Sequence, residues 1–346
     1  MIRLLALLLV MTAGAAMSQP APGGGAGQPE CADSYARERR TKQRVPSDCS
    51  QAEARATSLH TQITGGKSAP EERFTAAIVY RGADQKPYIC TGVLLDDRHI
   101  LTAGHCGCGT HYEVTFSQVA RSGNHTNDAL EIDGNPVLFD PLTCLREPKP
   151  GNDLALIRLK EHFHLKNFGD LANLGYPRFL FAADMQDQMK QKDQLKVVGF
   201  GETDTGGLAE RMTASVPVLT SDCFELPYRL YCAPFLEIIL ADRSGRQVPR
   251  DTCGGDSGGP VVVRRDVTLP ECSEVIDTNY DLITKTVTQV QNIVVGITSR
   301  AAPFTQPLRD GHCGGGGIYT LIGRRSVHAW LDANHVRPQQ CVTKIP

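Results

Sequence analysis

An all-β fold is predicted for residues 63–346, and two observations predict it. Short runs rich in Val, Ile and Thr alternate with turn signals along this span, and helical spacing of apolar residues is confined to one stretch near the C-terminus. Many short strands with few helices are the pattern of antiparallel barrels and sandwiches. In chain order, strands are expected over 74–80, 90–95, 99–103, 113–116, 154–159, 195–200, 212–219, 260–263 and 292–298. Near the end, Val327, Trp330 and Leu331 fall at helical spacing, with Ser326 as the expected cap. No internal repeat is present.

The chain is 41% hydrophobic and 21% charged with a formal net charge of −2, which is ordinary globular composition and gives no basic excess for nucleic acid. Residues 1–18 carry Arg3, an apolar run over 4–10 and then the small residues Ala13, Gly14, Ala15 and Ala16, the layout of a secretory signal peptide. The apolar run is too short to cross a bilayer, so no membrane span is expected after signal cleavage. The protein is therefore expected to be secreted, extracellular or periplasmic, where its 12 cysteines read as disulfides. Residues 19–62 read as linker and propeptide. The stretch 20–28 is rich in Pro and Gly, and Arg37, Arg39, Arg40, Lys42 and Arg44 lie between Cys31 and Cys49. A merely solvated extension fits that segment equally well.

The chemistry concentrates in Asp251-Thr252-Cys253-Gly254-Gly255-Asp256-Ser257-Gly258-Gly259-Pro260. Glycines around a serine let the backbone approach a substrate closely and turn N–H groups toward one point, where they can hold an oxyanion. A serine hydroxyl becomes a useful nucleophile when an imidazole takes its proton and a buried carboxylate holds that imidazole in one tautomer. His105, at the end of the run Leu101-Thr102-Ala103-Gly104, and Asp153, opening the run Leu154-Ala155-Leu156-Ile157, can fill these roles. Gly255, Ser257 and Gly259 also satisfy the nucleophile-elbow spacing of α/β-hydrolases. That fold places its acid and then its histidine after the serine, and the available Asp310 and His328 have no supporting motif.

With these motifs in the order His, Asp, Ser, the sequence resembles the chymotrypsin-like (trypsin-like) serine peptidases over nearly all of 63–346. Ile63-Thr64-Gly65-Gly66 resembles the mature N-terminus of that family, Gly296-Ile297-Thr298-Ser299 its substrate-binding strand and Gly317-Ile318-Tyr319-Thr320 the strand closing its primary pocket. The resemblance implies two six-stranded antiparallel β-barrels with the active site between them, His105 and Asp153 from the first and Ser257 from the second, and a C-terminal α-helix. It implies disulfides Cys90–Cys106, Cys223–Cys232 and Cys253–Cys313. For the six remaining cysteines, whose pairing the sequence leaves open, Cys31–Cys49, Cys108–Cys144 and Cys272–Cys341 are expected. A zinc reading of Cys106-Gly107-Cys108 with His105 and His111 yields to these assignments, and no metal or cofactor is expected. Residues 264–291 and 301–312 match the family least and read as loop insertions.

The implied activity is peptide-bond hydrolysis through an acyl-enzyme. His105 serves as base and then acid, Asp153 orients it, the N–H groups of Gly255 and Ser257 hold the oxyanion, and Ser299 hydrogen-bonds Asp153. Asp251 falls at the base of the primary pocket, where a buried carboxylate selects a cationic side chain, so cleavage after Arg or Lys is expected, with Gly317 leaving room for that chain. Arg300 stands where the family usually has tryptophan and Ala301 where it has glycine. Arg300 either favours acidic residues farther along the substrate or is offset by the adjoining insertion. The resemblance also implies a zymogen: cleavage before Ile63 frees an ammonium that pairs with Asp256. Because Gln62 precedes the cut and the nearest upstream basic residue is Arg55, either an activating protease of other specificity, a further expected partner beside protein or peptide substrates, or stepwise trimming of residues 56–62 is expected. The other function class is a secreted homologue that binds proteins without cleaving them.

Overall fold

In the computed structural model the described residues are 63, 65–120, 129–162, 194–201, 209–245, 249–270, 286–302, 313 and 315–336, all within the unit His60–Pro346. The strands run β1 (Lys67–Ser68), β2 (Thr75–Arg81), β3 (Pro87–Leu94), β4 (His99–Thr102), β5 (Thr110–Thr115), β6 (Val119–Ala120), β7 (Leu130–Glu131), β8 (Val137–Leu138) and β9 (Ala155–Arg158). They continue with β10 (Gln194–Gly199), β11 (Ala209–Glu210), β12 (Met212–Thr220), β13 (Glu237–Leu240), β14 (Pro260–Pro270), β15 (Thr286–Ala301) and β16 (Gly317–Leu321), and one helix, α1 (Arg325–Ala333), follows. The apolar runs of the sequence thus become strands within a few residues of their expected bounds.

The two sheets are built on different closures. In the second, β12-β10-β14-β15-β16-β13 is a continuous antiparallel order, and β12 pairs with β13, so the six strands close into a barrel with β1 added outside. Ile63, Val197, Val216, Ile238, Val261, Val295 and Tyr319 fill its interior. The first sheet runs β7-β5-β2-β3-β4-β9-β8 as a half-barrel, and the isolated bridge Ile132↔Leu159 joins the segment after β7 to the segment after β9. The Lys160 N–H donates to Glu131 O beside that bridge. Its core continues into Val198, Val262 and Ile297 of the second sheet and into Val327 and Leu331 of α1, so one apolar mass spans the seam. Burial of this continuous surface is the main force holding the two sheets together.

Two expectations are corrected. Helix α1 begins at Arg325 with extended Arg324 at its cap position, so Ser326 lies inside the first turn and caps nothing. Arg324 occupies that place because its guanidinium is bound to Gly151 O and crosses the Phe139 ring at 5.2 Å. The segment read as an insertion over 264–291 extends the barrel instead: β14 and β15 remain paired from Arg264↔Asn292 out to Pro270↔Thr286. Its composition, dense in Val and Thr, favours strand over loop. Residues 271–285 and most of the second expected insertion, 303–312, lie outside the described residues.

Arg211, 1% exposed, is the largest fully buried side chain and ties the second sheet to the first. Its Nε donates to Thr75 O at 3.1 Å, its Nη2 to Phe116 O and Ser117 O, and the guanidinium lies 5.0 Å from the Phe200 ring centroid. Burial lowers its pKa to about 10, which leaves the cation charged at neutral pH. Arg211→Ala leaves three carbonyls without this donor and opens a cavity, with an expected loss of about 3–5 kcal/mol by urea denaturation. A loss under about 1 kcal/mol, the range of ordinary surface changes, would remove this tie from the account.

Candidate active site

Antiparallel pairing of β4 with β9 brings His105 and Asp153 together. The register Thr102↔Ala155 places the end of β4 beside the start of β9, so the turn following one and the turn preceding the other share one end of the sheet. His105 sits on the 3-10 turn Gly104–Cys108. A Cβ at Gly104 would lie 2.9 Å from Asp153 Oδ1, so only glycine lets these turns approach so closely. The His105 N–H donates to Asp153 Oδ1 at 2.9 Å, and Nδ1 lies 2.9 Å from Oδ2. An ionised carboxylate can only accept, so Nδ1 carries the proton and a neutral imidazole keeps Nε2 as its basic nitrogen. Ser299 Oγ donates to Asp153 Oδ2 at 2.7 Å. Burial alone would raise the Asp153 pKa, but the donors His105 and Ser299 more than offset it and hold the carboxyl below its ordinary value.

Ser257 is delivered by a loop of the second barrel wedged against β3 and β4. The Thr91 N–H donates to Ser257 O at 2.8 Å, and that carbonyl lies 3.7 Å from Cys106 Sγ, the residue after His105. Gly258 has φ +84, and a Cβ there would stand 2.0 Å from Thr102 Oγ1 and 2.2 Å from Thr91 O. No side chain fits, which explains the glycine after the serine. Thr91 is the fastening point: its Oγ1 accepts the Phe200 N–H and donates to Gly255 O, each at 2.9 Å. Backbone N–H groups in this loop divide into two sets. Those of Cys253, Asp256, Gly258 and Gly259 donate within the loop or to Thr298, whereas those of Gly255 and Ser257 donate to none of the described residues. The Ser257 hydroxyl likewise forms no hydrogen bond among the described residues, and such contacts often tighten only when substrate is present.

Asp256 is fully buried, accepting the Cys253 and Gly201 N–H groups at 2.8 Å each. No cation pairs with it among the described residues, and burial pushes its pKa up to about 7. Ile63 is buried in the interior of the second barrel. Asp251, 2% exposed, accepts the Thr252 and Gly316 N–H groups at 2.8 Å each. A Cβ at Gly317 would meet Tyr319 Oη at 2.6 Å and Thr252 Oγ1 at 3.0 Å, so the close packing of these two side chains requires glycine here. Arg300 pairs in two bonds with buried Glu237 at 2.7 and 2.9 Å, so its guanidinium is engaged within the protein. Ala301 is exposed.

Disulfides Cys90–Cys106, Cys108–Cys144, Cys223–Cys232 and Cys253–Cys313 are formed. Cys31, Cys49, Cys272 and Cys341 lie outside the described residues. Cys90 and Cys106 cluster with His105, but sulfurs bonded to each other are not thiolate ligands, so this group is not a metal donor set. Sequence reasoning missed Thr91, Glu237 and Gly201. Thr91 follows a cysteine already singled out, the one local signal pointing to it, while the other two carried none.

Residues 63–300 match the family model Trypsin. Phenoloxidase-activating factor 1 of Holotrichia diomphalia is 26% identical over 64% of this chain and 62% of its own length. Trypsin-4 of Rattus norvegicus is 27% identical over 60% of this chain and 76% of its own. Human Serine protease 56 is 27% identical, and the chain spans 32% of it, so some relatives extend well beyond the shared region. A solved HL collagenase structure superposes with a TM-score of 0.52 over 80% of this chain and all of that one at 19% identity, a likeness of fold. The chain belongs to the trypsin family of serine peptidases.

Proposed function

We propose that the protein is a secreted serine endopeptidase acting through His105, Asp153 and Ser257. The observation that carries this reading is the hydrogen-bonded line Ser299–Asp153–His105, which leaves Nε2 basic beside a loop whose Gly255 and Ser257 N–H groups are unengaged. In the proposed cycle His105 Nε2 takes the Ser257 proton as Oγ bonds to the peptide carbonyl carbon. The carbonyl oxygen gains the negative charge and is met by the two N–H groups, and the proton then passes to the leaving nitrogen. Water repeats the sequence and releases the acid. The signal-like residues 1–18 and the four disulfides support secretion.

Asp251 is the proposed specificity determinant for Arg or Lys before the cut, supported by its place six residues before Ser257 and by a negative charge that attracts a cationic side chain. For activation, cleavage between Gln62 and Ile63 is proposed to free an ammonium that pairs with Asp256. A second reading, a protein-binding homologue without cleavage, draws on the Ser257 hydroxyl forming no bond to His105.

A fluorophosphonate probe separates the two, because it labels only an activated serine. Labelling of the secreted protein is expected at Ser257. Ser257→Ala is expected to abolish labelling and lower peptidase kcat by about 10⁶. Substantial peptidase activity in purified Ser257→Ala would sink the assignment. Asp251→Ser is expected to cost Arg and Lys substrates about 10²-fold or more in kcat/KM while sparing apolar ones, as profiled on a peptide library. The pocket reading fails if the wild-type profile shows no such preference.

Stability of the uncut chain is expected to depend on Asp256. Its folded pKa of about 7 stands above the ordinary 3.8, so the folded state binds more protons than the unfolded state between these values. Stability is therefore fully present below about pH 4 and falls as pH rises to about 7, by about 4 kcal/mol at most. Urea midpoints measured across this window should fall for the uncut wild type and flatten for Asp256→Asn. Equal slopes in the two proteins would refute the unpaired burial.

A further inference from the structure

The ion pair at Arg300 extends the hydrogen bonding around Asp153 into the body of the second barrel. Glu237 opens β13 and is fully buried. Its Oε1 accepts Arg300 Nη1 and the Gly151 N–H, each at 2.7 Å, while Oε2 accepts Arg300 Nη2 at 2.9 Å and the Ala233 N–H at 2.8 Å. Each oxygen thus holds one guanidinium and one backbone donor, which satisfies a charge that burial would otherwise penalise heavily. Arg300 Nη2 also donates to Tyr231 O at 2.9 Å, and Nη1 stands 3.4 Å from Ser299 Oγ.

One carboxylate therefore gathers three segments distant in sequence: the turn at 151–153, the chain around Cys232, and Ser299-Arg300 of β15. Two of the three act on the same group, since the turn contains Asp153 and Ser299 donates to it. The turn is also pressed onto β13 directly. Gly151 has φ +78, and a Cβ there would lie 2.5 Å from the Cβ of Leu236, the neighbour of Glu237. A buried ion pair is seldom needed for stability alone, because apolar residues of similar volume often serve as well. What an apolar pair could not supply is an acceptor for the Gly151 N–H.

We propose that Glu237, locked by Arg300, is a positioning residue that fixes the Gly151–Asp153 turn against β15 and so sets how Asp153 meets His105. The proposal rests on the peptidase reading for its consequence in catalysis, but its geometry can be tested without activity. Asp153 is the one ionised group hydrogen-bonded to the His105 side chain among the described residues, so the His105 titration reports that contact.

The test compares two double variants that remove both charges, so that neither changes the net charge and both make the same change in charge near His105. Glu237→Met with Arg300→Met deletes the acceptor for Gly151, whereas Glu237→Gln with Arg300→Met keeps an amide oxygen for it. The His105 ring is titrated by proton NMR, fluorophosphonate labelling is followed against pH, and thermal midpoints check folding. In the Met/Met protein the His105 titration is expected to move to lower pH, because a displaced Asp153 supports the imidazolium less. The labelling inflection should follow it, with a rate about 10²-fold lower. The Gln/Met protein should titrate close to wild type.

A folded Met/Met protein with an unshifted His105 overturns the proposal, since a purely structural pair would change stability alone. If Met/Met does not fold, Gln/Met decides: a shifted titration there, with the acceptor kept, overturns it equally. If wild type is never labelled and the Met/Met titration still moves, the peptidase reading falls and the positioning role stands.

Discussion

Everything in the candidate site depends on keeping one carboxylate charged where there is almost no water. Asp153 is 2% exposed, and a bare carboxylate at such a site would protonate rather than remain ionised. It stays charged because donors reach it from both halves of the fold: His105 N–H and Nδ1 from the first sheet, Ser299 Oγ from the second. The candidate site therefore exists only when the two sheets are docked. The shared apolar core, running from Leu154 and Leu156 through Val198 and Ile297 to Val327, supplies the docking energy that this electrostatic arrangement requires.

Docking in turn demands backbone contacts that side chains would block. Gly258 faces Thr91 O and Thr102 Oγ1 at distances no Cβ could tolerate, and Gly104 faces Asp153 in the same way. Thr91 converts this proximity into directed bonds. It fixes the Gly255 carbonyl by Oγ1 and the Ser257 carbonyl by its N–H, and so orients two peptide planes of the serine loop from the opposite barrel. The N–H groups of those two planes, of Asp256 and Gly258, donate to Cys253 O and Thr298 O, so the loop is held on both sides while the Gly255 and Ser257 N–H groups donate to none of the described residues, the arrangement that oxyanion binding needs.

Such dependence on local backbone form explains what the sequence made legible. His105, Asp153 and Ser257 stand in short contexts whose glycines and small residues are dictated by close approach, and those contexts can be read without the fold. The strand runs were legible for the same local reason. Glu237 was not, because an acid heading the run Ile238-Ile239-Leu240 reads as an ordinary strand end, and its partners Gly151 and Arg300 lie 86 and 63 residues away. The partner of Arg300 is hidden for the same reason: only the acid across the barrel tells where its guanidinium turns. The long β14–β15 hairpin was taken for an insertion because family likeness was weighed above the strand propensity of its Val and Thr residues. Ser326 was taken for a cap because the pull of Gly151 and Phe139 on Arg324 is invisible from local sequence.

Two buried aspartates define the remaining logic of the site, because burial alone would treat them alike. Asp153 is held below its ordinary pKa and Asp256 is raised to about 7. The difference lies in the donors. Asp153 faces an imidazole that can accept a proton and become a cation, whereas Asp256 has two backbone N–H groups, too little to sustain a charge at full burial. Burial thus disfavours the charged form of Asp256 in a loop that also carries Gly255 and Ser257. A cation delivered beside it would restore the full negative charge and gain the strength of a charged pair away from water. In the proposed activation the ammonium of Ile63 is that cation, and the residue already lies within the interior of the same barrel. The serine loop would then be stiffened by a buried carboxylate, as the His105 turn already is by Asp153.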